Sequence, residues 1–338
     1  MAPGALSKVE RIRRALAGDP VDRPPISFWA HNFAMEHSAE VLAEQTVADF
    51  RRYDWDFIKI QSRASVFAEM WGSRYRSVRQ RAVPPELLEW PVHSAQDVAG
   101  LRVQDPTTGA LGEQLEALAL IRQAVGPDVP LLLTIFAPAM VLQFLVGESP
   151  ELMLRLIREH PREAHAGLAA VRDTLVEYAR QCIARGADGI FLAIKAASAN
   201  QMTRAEYAEF GLPYDRAVLI GAERGWLNML HLCEANLYFE VANAFPVPLV
   251  SWGLDRGNPT LSEGRAMVKR AVIGGVSPKP RIRTMTPEEV RAEVATALTE
   301  TESRQMMIGP GCSISPDTPE SNLFAVCDAV QAWCVSRR

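Results

Sequence analysis

The sequence is short of several things, and each shortage excludes a class of protein. No apolar run approaches the roughly 20 residues needed to cross a bilayer, so a membrane-spanning protein is not expected. Met1 to Lys8 lack the apolar core of a secretory signal. Blocks of like charge are missing too: 36 Lys and Arg face 40 Asp and Glu, a formal net charge of −4. That balance points away from nucleic acid or an anionic membrane as the main partner. Five cysteines in 338 residues do not make a disulfide scaffold, and their odd number leaves one thiol unpaired. The expectation is a reducing, cytoplasmic setting in which cysteine is either core filler or chemistry. Neither a Gly-x-x-x-x-Gly-Lys phosphate loop nor a Gly-x-Ser-x-Gly elbow occurs, and Gly274-Gly275 is at best a weak phosphate turn.

Apolar residues are plentiful. At 48% hydrophobic and 22% charged, the chain can bury a large core, and 338 residues suit one α/β barrel domain spanning 1–338. Arg23-Pro24-Pro25 introduces the first apolar run, Ile26 to Trp29. Seven more follow: Asp56–Ile60, Val129–Phe136, Gly189–Ile194, Trp226–Cys233, Pro248–Leu254, Ala271–Val276 and Gln305–Ile308. They are short and mostly apolar on both faces, as parallel strands covered on both sides are.

Amphipathic helices separate most of them. Ser149-Pro150 opens one with Leu152, Leu156 and Ile157 on its inner face. Thr203 and Glu206 have capping-box spacing, as do Thr286 and Glu289 around Pro287. Leu168, Val171, Leu175, Tyr178 and Cys182 form a stripe ending at Gly186, and Thr318-Pro319 starts the last helix. Eight strands alternating with helices predict a parallel (β/α)₈ TIM barrel, with a doubly wound open sheet as the alternative. Residues 62–104, rich in Trp, Arg and Pro, read as an insertion forming a wall over the barrel mouth.

Barrel chemistry gathers at the C-terminal ends of the strands. His231-Leu232-Cys233 closes one strand, and in extended backbone positions i and i+2 face the same way. Gly309-Pro310-Gly311-Cys312 places a third soft ligand just after the last strand, beside a glycine that lets backbone pack close to an ion. Two thiolates and an imidazole with one open position form a catalytic zinc pattern. On spacing alone, buried structural cysteines explain the same residues. Cys182, Cys327 and Cys334 lie on helices, where core packing accounts for them. His31, in Trp29-Ala30-His31-Asn32 at the mouth, is read as a substrate contact together with Asn32, or as an ordinary loop histidine. Asp255, after the sixth strand, either contacts a ligand or substrate or caps its loop. Glu234 adjoins Cys233, should point the opposite way from it, and is a further candidate substrate contact.

Together these residues resemble the uroporphyrinogen decarboxylase superfamily, in its branch of zinc-dependent, corrinoid-linked methyltransferases. The likeness runs from Arg14-Ala15-Leu16-Ala17-Gly18 and Val21-Asp22-Arg23-Pro24-Pro25 through Tyr53–Lys59, Gly186–Gly189 and Thr286–Val290. It ends at Gly309–Cys312 and Asp317–Asn322, the most specific stretch. The resemblance implies a single (β/α)₈ barrel in which His231, Cys233 and Cys312 bind Zn²⁺. It departs from the decarboxylases where their chemistry resides. Pro24 to Phe50 holds no Arg or Lys, no acid stands near Gln61-Ser62, and the tyrosine and histidine positions fall at Phe144 and Pro310. Glu234 departs from the methyltransferases, which carry glycine there.

The function expected is methyl transfer between a corrinoid, either cobalamin or a separate corrinoid protein, and a small-molecule thiol activated by zinc. One rival is a cobalamin-independent zinc–thiolate alkyltransferase or demethylase. Another is a non-catalytic barrel that binds a small molecule. A homodimer is expected only because relatives often form one.

Overall fold

A computed structural model describes residues 5–254 and 257–336. The strands among the described residues are β1 Ile58–Ile60, β2 Arg74–Arg76, β3 Glu86–Glu89, β4 Leu131–Phe136, β5 Gly189–Ile194, β6 Met229–Leu232, β7 Leu249–Trp252, β8 Ala271–Val276 and β9 Met306–Pro310, and all but β2 and β3 fall in the runs expected from apolar residues on both faces. Seven form one parallel sheet in the order β1-β4-β5-β6-β7-β8-β9, while β2 and β3 pair as a separate antiparallel hairpin. Every residue of the seven is buried, as helices outside and side chains inside require.

The helices start where their capping residues stand. Ser149 accepts a hydrogen bond from the Leu152 amide, and both Thr203/Glu206 and Thr286/Glu289 close reciprocal capping boxes. Leu168, Val171, Leu175, Tyr178 and Cys182 are all buried along the helix Pro161–Ala184. No described helix is long and apolar enough to cross a membrane.

One expected strand is corrected. Ile26–Trp29 forms no strand; Ile26 makes an isolated parallel bridge to Ile308, and Ala30 makes another to Ile314. The physical reason lies in the donors around it. Pro24 and Pro25 carry no amide hydrogen, and the Ile26 amide donates to the Asp56 carboxylate (2.7 Å) instead of to a neighbouring strand. The Ser27 hydroxyl then takes the Phe57 carbonyl (2.8 Å). Side chains here replace ladder bonds. The segment nevertheless stands between the sheet's two edge strands. Ser27 N donates to Ile308 O (3.1 Å) and Ile308 N to Pro25 O (2.8 Å), while on the other side Asp56 N donates to Ile26 O (2.7 Å). The observed architecture is therefore a curled seven-stranded parallel sheet whose edges both meet one irregular segment.

Asp56 anchors that junction. It is fully buried and accepts from Arg11 (2.7 Å) and Arg23 (2.6 Å) as well as from Ile26. Arg11 also grips Asp22 (2.6 Å), which ties the first helix, Lys8–Ala17, to the same point. Residues 62–104 hold two short helices and the β2–β3 hairpin. Between β2 and β3, Arg81 accepts from the Phe33 amide (3.1 Å) and donates to the Pro316 carbonyl (2.8 Å), reaching the loops beyond the first segment and beyond β9.

Removing one partner from a buried ion pair strands the others without compensation. Asp56→Ala is expected to lose about 3–5 kcal/mol of unfolding free energy, read by urea denaturation. A loss below about 1 kcal/mol would show that the edges close without this carboxylate.

Candidate metal centre

Parallel register fixes the first ligand. On β6, His231 lies level with Ala193 of β5 and Ser251 of β7. Its ring stacks on Phe191 (centroids 5.1 Å apart, 25° between planes) and is 2% exposed. Nδ1 is held by the Ser251 hydroxyl at 2.9 Å. Nε2 is buried with no hydrogen-bond partner. An imidazole nitrogen left bare in the interior is costly unless something binds it.

Cys233 continues the extended backbone one residue past Leu232, its amide donating to Ile194 O (2.8 Å). Cys312 arrives from the loop after β9. That loop lies flat on the end of β7, since a Cβ on Gly311 would stand 2.9 Å from the Trp252 carbonyl oxygen. Only glycine allows that approach. The ligand atoms of His231, Cys233 and Cys312 all lie within 4.8 Å of one another. The hydrogen bond from Cys233 holds the Cys312 thiol well below its usual range against the opposing effect of burial, and His231 and the Ser313 amide add to this.

The residues fit a metal ion. Bond lengths of about 2.0–2.3 Å to nitrogen and sulfur place tetrahedral ligands within such a separation. The unpartnered Nε2, two sulfurs and a hydroxyl orienting the far ring nitrogen are the donor set of a Cys₂His zinc site with its outer support. Neither magnesium nor calcium, which favour oxygen, suits it.

Lys59 is a buried charged residue beside these groups that sequence reasoning passed over. It sits on β1, 5% exposed, with its ammonium 4.3 Å from the centre of the Phe191 ring and 5.6 Å from that of Trp29. Burial pulls its pKa down to about 7, opposed by the charges of Cys312, Glu36 and Cys233. Its ammonium donates to the Gln61 side-chain oxygen. The Gln61 amide nitrogen meets His31 Nε2 at 2.7 Å, and His31 Nδ1 meets Glu36 at 2.9 Å. The signal was there: a lysine in the middle of a run buried on both faces.

His31 therefore has both ring nitrogens engaged within the protein, by Glu36 and Gln61. Asn32 donates its amide to Glu36 (2.8 Å), while its side-chain oxygen is buried without a partner. It lines a cavity of about 880 Å³ together with Trp29, Gln61 and Arg81. Glu234 turns away from the sulfurs, as expected, accepting from Gln201 (3.3 Å) and pairing with Lys195 (3.7 Å). Asp255 lies outside the described residues. Cys182 is fully buried on its helix, and burial pushes Cys327 up to about 11. Both suit packing rather than ligation.

The uroporphyrinogen decarboxylase (URO-D) family model matches residues 7–333. A methylcobamide:CoM methyltransferase, MtaA, of Methanosarcina barkeri is 21% identical, over 94% of this chain and 95% of its own length. The uroporphyrinogen decarboxylase of Chlorobium limicola is 24% identical, over 96% and 97%. Among solved structures, a methyltransferase from Methanosarcina mazei superposes with a TM-score of 0.84 at 21% identity, covering 97% of this chain and 99% of that one.

Loss of a hydrogen bond that orients a ligand typically weakens metal binding by about 10- to 100-fold. Ser251→Ala should lower zinc affinity by about that factor in a chelator competition, with the fold intact. Unchanged affinity would mean that Ser251 does not orient His231.

Proposed function

The chain belongs to the uroporphyrinogen decarboxylase family, and we propose that within it this protein is a zinc-dependent methyltransferase working between a corrinoid and a thiol. The observation that carries the proposal is the convergence of His231, Cys233 and Cys312 within 4.8 Å, with one imidazole nitrogen buried and bare. Three protein ligands leave a fourth place for a substrate atom, which distinguishes a catalytic from a structural zinc site. The names of similar proteins, methylcobamide:CoM methyltransferases, agree with that chemistry.

Zinc bound there would act as a Lewis acid, lowering the pKa of a substrate thiol and presenting its sulfur as a nucleophile. The rest is the work of this chain. Ser251 fixes the His231 tautomer so that Nε2 is the nitrogen turned to the ion. Phe191, with Trp29 packed edge-on against it (5.6 Å), covers one face of the imidazole, which is buried. The second substrate, a methylated corrinoid, is either free cobalamin or is carried by a separate corrinoid protein docking at the strand ends.

Porphyrinogen decarboxylation is less well supported. The amide of Gln61 is taken up by Lys59 and His31, and Phe144 packs edge-on against Phe136 at 5.7 Å. Pro310, the last residue of β9, offers no titratable group.

Purified protein is expected to contain about one zinc per chain and to consume methylcobalamin only in the presence of a thiol. Cys312→Ser should lose zinc and methyl transfer together. Full activity in a zinc-free Cys312→Ser variant would refute the proposal. Thiol alkylation by the wild type without any corrinoid would keep the zinc centre and replace the methyl donor.

A further inference from the structure

The charge at the centre has to balance in a place with little water. Two thiolates and a neutral imidazole around a divalent ion sum to zero. A thiolate in the fourth position makes the assembly negative, and a neutral donor leaves it uncharged. His231 is 2% exposed and Lys59 5% exposed, so an uncompensated charge there is poorly solvated. Such a site rejects an anion unless the protein supplies a fixed cation close by.

Lys59 is that cation. Its ammonium lies over the Phe191 ring, which also stacks on the imidazole of His231, and it is within electrostatic reach of both Cys233 and Cys312. An ammonium has three donors, and Gln61 takes one. The chain from Gln61 to His31 to Glu36 is consistent in its donors and acceptors. The Gln61 amide donates to His31 Nε2, and His31 Nδ1–H donates to the Glu36 carboxylate, 3% exposed. That relay holds the Gln61 oxygen towards Lys59. Glu36 is the carboxylate that acts on this ammonium, and it stands behind both Gln61 and His31. Among the described residues no carboxylate makes a direct ion pair with this lysine, which is positioned by its hydrogen bond to Gln61. A lysine serving only packing would do better as methionine, which fills the same space without a charge to desolvate.

We propose that Lys59 is a specificity-determining residue that sets the charge of the fourth ligand, making the centre accept an anionic sulfur in preference to a neutral donor. The inference rests on the metal-centre reading above and deepens it, since it states which chemical form of substrate the site selects.

The test compares wild type with Lys59→Met and Lys59→Arg, each loaded with cobalt(II), whose visible spectrum reports ligand exchange. Two probes are titrated: 2-mercaptoethanol, which binds as thiolate with an uncharged tail, and 1-methylimidazole, which binds neutral. Lys59→Met should lose about 10- to 100-fold in affinity for the thiol, the scale of a partly screened unit charge. It should bind 1-methylimidazole within about twofold of wild type, and Lys59→Arg should recover much of the thiol affinity. Stoichiometric cobalt uptake by Lys59→Met shows that the variant is folded at the site; Lys59→Gln serves as a second neutral variant if it is not. Unchanged thiol affinity in a metal-loaded neutral variant, or equal losses for the two probes, overturns the inference alone. Failure of the wild type to take up cobalt or zinc overturns the metal-centre reading, and the inference with it.

Discussion

Strands that all run the same way deliver their carboxyl ends to one rim, and the rest of this molecule depends on that constraint. His231 and Cys233 leave the sheet at the end of β6 and Cys312 just beyond β9, with β7 and β8 between them in the ladder. Nothing local brings the three together. The backbone ladder sets the height of His231 beside Ser251, and curvature of the sheet brings the β9 loop across to it. A glycine at 311 then permits the last few tenths of an ångström of approach. The geometry of these three residues is a property of the whole curled sheet, as is usual for sites built on rigid elements.

A second constraint is electrical. The wall that carries the ligands is apolar, so each polar group inside it needs a named partner. Asp56 has two arginines and an amide, Asp188 has Arg122 (2.6 Å) and the Trp226 indole (2.8 Å), and His31 has Glu36 and Gln61. His231 Nε2 is buried without one, as are the Asn32 side-chain oxygen and both polar atoms of the Gln114 amide, but it lies within 4.8 Å of two sulfurs. A bare imidazole nitrogen beside two sulfurs is a stronger pointer to a ligand than the sulfurs alone, which are tolerated in cores as small apolar groups.

Much of this was legible in the residues. Seven of eight strands followed from short runs apolar on both faces, and the helix starts from Ser and Thr caps with Glu three residues on. The convergence of His231, Cys233 and Cys312 was legible because each fell at a strand end, a position that fold class converts into a location. What failed did so for identifiable reasons. Ile26–Trp29 has the composition of a strand, but two prolines and a remote carboxylate rewrote its hydrogen bonding, and a window of local sequence does not show Asp56. Lys59 was hidden by the ordinary habit of lysine, which reaches for solvent from a strand; only the curled sheet shows how little solvent is within reach.

The distance in sequence between the ligand pair and the single late cysteine carries a consequence for biogenesis. A ribosome releases His231 and Cys233 long before Cys312, and a growing chain offers an ion only two of the three donors until the final strand has emerged. Since domains acquire structure from the amino terminus as they are made, a complete three-donor site would exist only after the sheet has docked its last member. An ion held by all three would then favour the completed sheet over every shorter intermediate, so that loading would act as a late seal on assembly.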